Sequence, residues 1–223
     1  MLFKVNDLEY KLENQKILSN KSFSVETSKH LLILGPSGSG KTTLINLMAG
    51  LLKPTSGNIL FDNNDYLSLS DEEMDIVRAK NFGFIFQKLH LIGHLNVEQN
   101  IILGQHNSTS PKIDELIKDI GLSGKNKQLA RELSFGEAQR VAIARGVANN
   151  PKVIFADEPT SGLDDINTKK VMKLIFSQTK KNNSTLIVCS HDQRIKSLFF
   201  NLLELTNELF KFYLPFFKIS FVK

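Results

Sequence analysis

A chain of 223 residues, 41% hydrophobic and 23% charged, is long enough to bury a sizeable core and has the composition of an ordinary soluble globular protein. Its formal charge of +5 comes from 28 basic and 23 acidic residues spread along the chain without a polybasic run, so nucleic acid is not expected as a partner. A single cysteine, Cys189, excludes a disulfide framework and fits a reducing cytoplasm. No run approaches the roughly 20 apolar residues that span a bilayer.

Met1–Asp7 holds no apolar h-region, so no secretory leader is expected. Leu2–Val5 and Lys21–Val25 read as short strands, and His30–Leu34 as a buried one. The chain then enters Gly35-Pro36-Ser37-Gly38-Ser39-Gly40-Lys41-Thr42, which fits the pattern G-x-x-x-x-G-K-[ST]. Thr42–Leu52 reads as a helix with Leu44, Ile45, Leu47, Met48, Leu51 and Leu52 on one apolar side. Pro54-Thr55-Ser56-Gly57 is expected to end it. Asn58–Phe61 reads as a strand with Asp62–Asp65 as its turn, and Phe82–Phe86 as another that delivers Gln87.

From residue 88 to about 150 strand signals stop and helical patterning takes over, as in Ile113–Ile120 and Glu137–Ala148. This predicts a helical subdomain inserted in an α/β core. Sheet character returns with Val153–Ala156 and Thr185–Val188, which places Cys189 at a buried strand position. Leu202–Leu205 reads as a last core strand. Residues 206–223 form a phenylalanine-rich tail carrying Phe210, Phe212, Phe216, Phe217 and Phe221. Three readings of it stand: an extra packed element, a membrane- or partner-facing patch, or a terminus that does not pack.

Three segments carry chemistry. Backbone N–H groups reach phosphate oxygens only where side chains vanish, and Gly35, Gly38 and Gly40 meet that need. The following helix presents its positive end to the phosphates, Lys41 neutralises their charge, and Thr42 offers a hydroxyl to Mg²⁺. Second, Val153-Ile154-Phe155-Ala156 delivers Asp157 and Glu158 at the C-terminal end of a buried strand, where ligands lie in an open α/β sheet. Asp157 is placed to hold Mg²⁺ through water, and Glu158 to polarise an attacking water. Third, Leu133-Ser134-Phe135-Gly136-Glu137 contains the spacing S-x-x-E, so a helix should start there. A well-capped helix is by itself a sufficient account of Ser134 and Glu137.

In this order the segments resemble the nucleotide-binding subunit of an ABC transporter over residues 1–205. The glycine loop is similar to Walker A, Val153–Glu158 to Walker B, and Leu133–Glu137 to the LSGGQ signature, with Phe135 in place of a glycine and Glu137 in place of the glutamine. The resemblance implies an α/β P-loop NTPase (RecA-like) core with a small antiparallel β subdomain and the helical subdomain at about 88–150. It implies ATP hydrolysis with ATP and Mg²⁺ as cofactors. Gly35, Pro36, Ser37, Gly38, Ser39, Gly40, Lys41, Thr42 and Thr43 would hold the phosphates, and Tyr10 would stack on adenine. Ser134, Gly136 and Glu137 would face the ATP held by a second subunit. Thr42, Gln87 and Asp157 would attend the metal, and Glu158, His191 and Gln87 the reaction, with Ser161–Asp164 at the dimer seam. Gly83–Ile101 is similar to the lipoprotein-releasing, macrolide-export and cell-division group. The partners implied are an integral membrane transporter subunit and a second copy of the chain, at the cytoplasmic face of the cell membrane. A soluble ABC ATPase acting on DNA or ribosomes, and a cell-division type that signals rather than transports, are the alternative functions.

Overall fold

In the computed structural model, residues 1–13, 15–106 and 113–206 are described, so the tail beyond residue 206 lies outside the described residues. Strands β1 (Phe3–Leu12), β2 (Gln15–Val25), β4 (Ser56–Phe61) and β5 (Asn64–Asp65) form an antiparallel sheet in the order β2-β1-β4-β5. Strands β3 (Leu31–Leu34), β6 (Phe82–Ile85), β7 (Val153–Asp157), β8 (Thr185–Ser190) and β9 (Asn201–Glu204) form a parallel sheet in the order β6-β7-β8-β3-β9. The helices are α1 (Lys41–Met48), α2 (Asp71–Asn81), α3 (Val97–Ile102), α4 (Ile113–Asp119), α5 (Phe135–Val147) and α6 (Asp165–Lys181). This is the ABC-type α/β arrangement expected: a parallel P-loop core, a small antiparallel sheet, and a helical stretch between β6 and β7.

Parallel strands read as continuous apolar runs because both faces are covered. Side chains alternate between those faces. Leu32 and Leu34 join Ile154, Ala156, Leu186 and Val188 under α3, α4, α5 and α6. Leu31 and Ile33 join Phe155, Ile187 and Cys189 under α1 and the antiparallel sheet. The two sheets are tied by a chain of rings: Phe3–Phe61 at 5.0 Å, Phe61–Phe82 at 4.9 Å, Phe82–Phe155 at 5.3 Å. On the other face β6 meets α5 backbone to backbone; a Cβ on Gly83 would lie 1.9 Å from Gly146 O, so only glycine allows that approach.

Several elements differ from the sequence reading. β1 and β2 are longer than the predicted Leu2–Val5 and Lys21–Val25, and form one hairpin. The helix predicted to Leu52 stops at Met48, because Gly50 turns left-handed at φ 66°; Leu51 is exposed, and Ser56-Gly57 belong to β4 rather than to a helix stop. The turn after β4 has Asp62 and Asn63 at φ 49° and 65°, as a two-residue hairpin connection demands. β9 is an edge strand, mostly open to solvent, so only Leu205 at its end is deeply buried.

Two helices went unpredicted. α2 is held by a Ser70–Glu73 capping box and buries only Met74, so it has almost no apolar stripe. α6 buries Thr168, Val171, Met172, Ile175, Gln178 and Thr179, a helical period half made of polar residues. Thr179 Oγ1 returns its proton to Ile175 O at 2.7 Å, which makes its burial tolerable.

Candidate active site

The parallel register carries three strand ends to one edge of the sheet. Leu34 of β3 pairs with Ser190 of β8, and Asp157 of β7 pairs with Cys189. The glycine loop follows β3, the two carboxylates end β7, and His191 follows β8. A cavity of about 540 Å³ opens over them. Pro36, Ser37, Gly38 and Gly40 of the loop line it, as do Lys41, Thr42 and Thr43 of α1. Gln87, Glu158, His191 and, from β2, Ile17 complete its walls.

The loop ends on a left-handed residue: Gly40 caps α1 at φ 88° with no side-chain cap, so the first N–H groups of the helix face the cavity unoccupied by protein side chains. Gly35 sits beneath, its N–H donating to Ser190 O at 3.3 Å. Ser39 Oγ is buried and has no hydrogen-bond partner among the described residues.

Lys41 is buried at 6% exposure. Its Nζ donates to Gly35 O (2.9 Å) and Pro36 O (3.0 Å), and stands 3.4 Å from Glu158 Oε1. A cation so deep in the protein calls for an anion. Thr42 Oγ1 donates to Asp157 Oδ2 at 2.9 Å. Burial pushes the Asp157 carboxyl above its ordinary range, opposed by the Thr42 bond and reinforced by the Glu158 charge. Asp157 Oδ1 is buried with no hydrogen-bond partner among the described residues. An orphaned carboxylate oxygen beside a threonine hydroxyl is a donor set of hard oxygens, which fits Mg²⁺.

Glu158 is held by both its backbone and its carboxylate. Its N–H donates to Cys189 O at 2.8 Å. Oε2 accepts from Ser190 Oγ (3.0 Å) and His191 N (3.3 Å), with His191 Nδ1 at 2.9 Å. Gln87 Nε2 donates to Ser161 Oγ at 3.1 Å, linking the end of β6 to the loop after Glu158. Asp164 caps α6, accepting from Asn167 N at 2.7 Å.

Not every predicted residue meets here. Tyr10 pairs with Leu18 across the β1–β2 hairpin and packs on the core; Ile17, not Tyr10, lines the cavity. Nothing about Ile17 in the sequence distinguishes it from other strand residues. Ser134, Gly136 and Glu137 also lie outside this cavity, at the start of α5. The capping box is present: Ser134 Oγ accepts from Glu137 N, and Glu137 Oε2 accepts from Ser134 N at 2.9 Å. Glu137 also pairs with Lys125, and these contacts, Lys125 first, hold its carboxyl down to about 2. Phe135 is 59% exposed beside them.

The family description "ABC transporter" matches residues 18–161. The chain belongs to the ABC transporter family. HrtA of Staphylococcus aureus, whose name provisionally assigns it to hemin import, is 39% identical over 190 residues, which cover 82% of this chain and 86% of that protein. MG065 of Mycoplasma genitalium, whose name provisionally makes it an ABC transporter ATP-binding protein, is 37% identical over 186 residues, but the match spans only 40% of its length. Among solved structures, the dimeric cassette MJ0796 in a post-hydrolysis state with ADP and Pi superposes at a TM-score of 0.79 with 31% identity, covering 93% of this chain and 97% of that one. CbiO1 of Clostridium perfringens, part of the ABC transporter complex cbiONQ, gives 0.82 and 31%, covering 92% and 84%. This chain is therefore an ATP-binding ABC ATPase, and no helix among its described residues is long and apolar enough to cross a membrane.

Proposed function

We propose that two copies of this chain clamp two ATP molecules between them and, by hydrolysing them, drive a membrane-embedded partner at the cytoplasmic face of the cell membrane. The single observation that carries the reading is the separation within one copy of two sets of groups. Lys41, Thr42, Asp157 and Glu158 gather around the glycine loop, whereas Ser134 and Gly136 stand apart at the start of α5, exposed and outside that cavity. A second copy supplies what each site lacks.

In this mechanism the loop N–H groups and Lys41 hold the phosphates, exchanging the Gly35 and Pro36 carbonyls for phosphate oxygens. Thr42 and Asp157 would hold Mg²⁺, with Gln87 nearby, and the ion would supply positive charge to offset that of the phosphate oxygens. Glu158 orients the attacking water, and His191 donates toward the charge that develops on the γ-phosphate. Ser134 and Gly136, from the helix end opposite, face the same γ-phosphate from the second copy. Ile17 of β2, at the cavity wall, offers the base an aliphatic surface. The partner docks near Gln87 and the helical stretch, and cargo is chosen by that partner. The proposed direction is outward, on the likeness of Gly83–Ile101 to the lipoprotein-releasing and macrolide-export group; the import name of HrtA points the other way.

Glu158→Gln tests the site. With Mg-ATP it should lose at least about a hundredfold in turnover, the usual worth of a positioned base, retain nucleotide affinity, and run as a dimer in light scattering. A variant that turns over like its parent removes Glu158 from the reaction; one that stays monomeric with bound Mg-ATP removes the shared seam. Transport into inverted vesicles carrying the co-purified partner decides direction.

A further inference from the structure

Ser190 ends β8 with its side chain fully buried, and it touches three parts of the site at once. Its carbonyl accepts from Gly35 N at the start of the glycine loop, at 3.3 Å. Its hydroxyl oxygen accepts from Asp192 N at 3.0 Å and lies 3.0 Å from Glu158 Oε2. A backbone N–H can only donate, and an ionised carboxylate can only accept. The one hydroxyl proton of Ser190 is therefore committed to Glu158. Asp192 is itself fixed, by Thr160 Oγ1 at 3.0 Å and by the Arg194 guanidinium at 2.8 Å, so the group that orients the hydroxyl does not drift.

Glu158 needs an anchor of this kind. Its backbone is left-handed, φ 49°, an uncommon state for a residue with a side chain. Its Oε1 faces Lys41 at 3.4 Å, while Oε2 faces Ser190 and His191. Lys41 and His191 are both committed to phosphate oxygens once nucleotide is in place. Among the described side chains, that leaves Ser190 as the one still holding Oε2. We propose that Ser190 is a positioning residue for hydrolysis: its hydroxyl pins Oε2 of Glu158 so that Oε1 is aimed at the attacking water. The inference rests on Glu158 being the group that orients that water. Ser190 forms no bond to substrate and moves no proton to it; it acts through the carboxylate.

The test uses the full-length chain, measured for steady-state ATPase and for affinity toward a fluorescent ATP analogue, as Ser190→Ala and Ser190→Thr. Losing a hydrogen bond to a charged group should lower kcat about tenfold to a hundredfold in Ser190→Ala, with KM and analogue affinity within about twofold of the parent. Ser190→Thr keeps the hydroxyl and should recover kcat to within about threefold. Added to Glu158→Gln, Ser190→Ala should change the residual rate less than about twofold, because the two act as one unit. Should Ser190→Ala fail to fold, Ser190→Cys, similar in size and a weaker donor, carries the same comparison. A parent-like kcat in Ser190→Ala, affinity that falls in step with kcat, or a threonine variant no better than alanine overturns the proposal. If Glu158→Gln also turns over like its parent, the reading of the whole site has failed; if Glu158→Gln is dead and only Ser190→Ala is parent-like, the failure belongs to Ser190 alone.

Discussion

Two glycines of the same loop should fail in opposite ways when each is changed to alanine. Gly38 has φ 78°, and a Cβ added there meets no heavy atom within 4 Å. Gly35 does not need a left-handed backbone, but its Cβ would lie 2.4 Å from Ser39 Oγ and 2.5 Å from Leu205 O, a main-chain atom just past β9. Holding alanine left-handed costs roughly 1–2 kcal/mol, and the stiffer unfolded chain returns about 0.4–1, so Gly38→Ala should lose about 1 kcal/mol. For a chain of this size that is a Tm shift of about 2–4 °C. Gly35→Ala must push the main chain at Leu205 aside, an overpacking cost of about 1–3 kcal/mol, and should have the lower Tm of the two. Nucleotide affinity should separate the pair the other way. Gly38 lines the cavity where the phosphates are proposed to lie, so a methyl group there should cost at least about tenfold in ATP affinity. The assays are thermal unfolding without nucleotide and calorimetric titration with Mg-ATP. A Gly38→Ala protein that binds ATP as tightly as its parent, or melts below Gly35→Ala, would refute the reasoning.

Three further outcomes are expected. Lys41→Ala should weaken ATP binding by at least about tenfold in the same titration, since the pocket then loses its buried cation. Phe135→Gly should leave ATPase turnover equal or higher, because the ring is exposed and carries none of the proposed phosphate contacts; a collapse would show that this signature works through its phenylalanine. Glu137 has its carboxyl held from 4.5 down to about 2 by Lys125 and Ser134, so its ionised form favours the folded state. That contribution is complete above about pH 4.5 and is lost as pH falls toward 2. The gap in Tm between the parent and Glu137→Gln should therefore be widest near neutral pH and shrink at pH values between these limits. A gap independent of pH would place the effect elsewhere.

The glycine loop, the carboxylate-bearing strand β7 and the start of α5 were legible in the sequence because each is a local requirement. Gly40 must turn left-handed, four apolar residues must precede Asp157, and Ser134 must reach Glu137 one turn on; each demand is met within a few neighbouring residues. α6 was not legible, since Thr168, Gln178 and Thr179 occupy half of its buried face and blur its apolar period. Nor was the exchange of Ile17 for Tyr10 at the cavity wall, which depends on how the β1–β2 hairpin lies over the loop. The folded chain alone decided that β8 sits between β7 and β3, and this order is what brings the hydroxyl of Ser190 to Glu158 across 32 residues of sequence. Short-range backbone preferences write the parts into the sequence, whereas strand order is settled by which faces can be buried together, and no single segment holds that information.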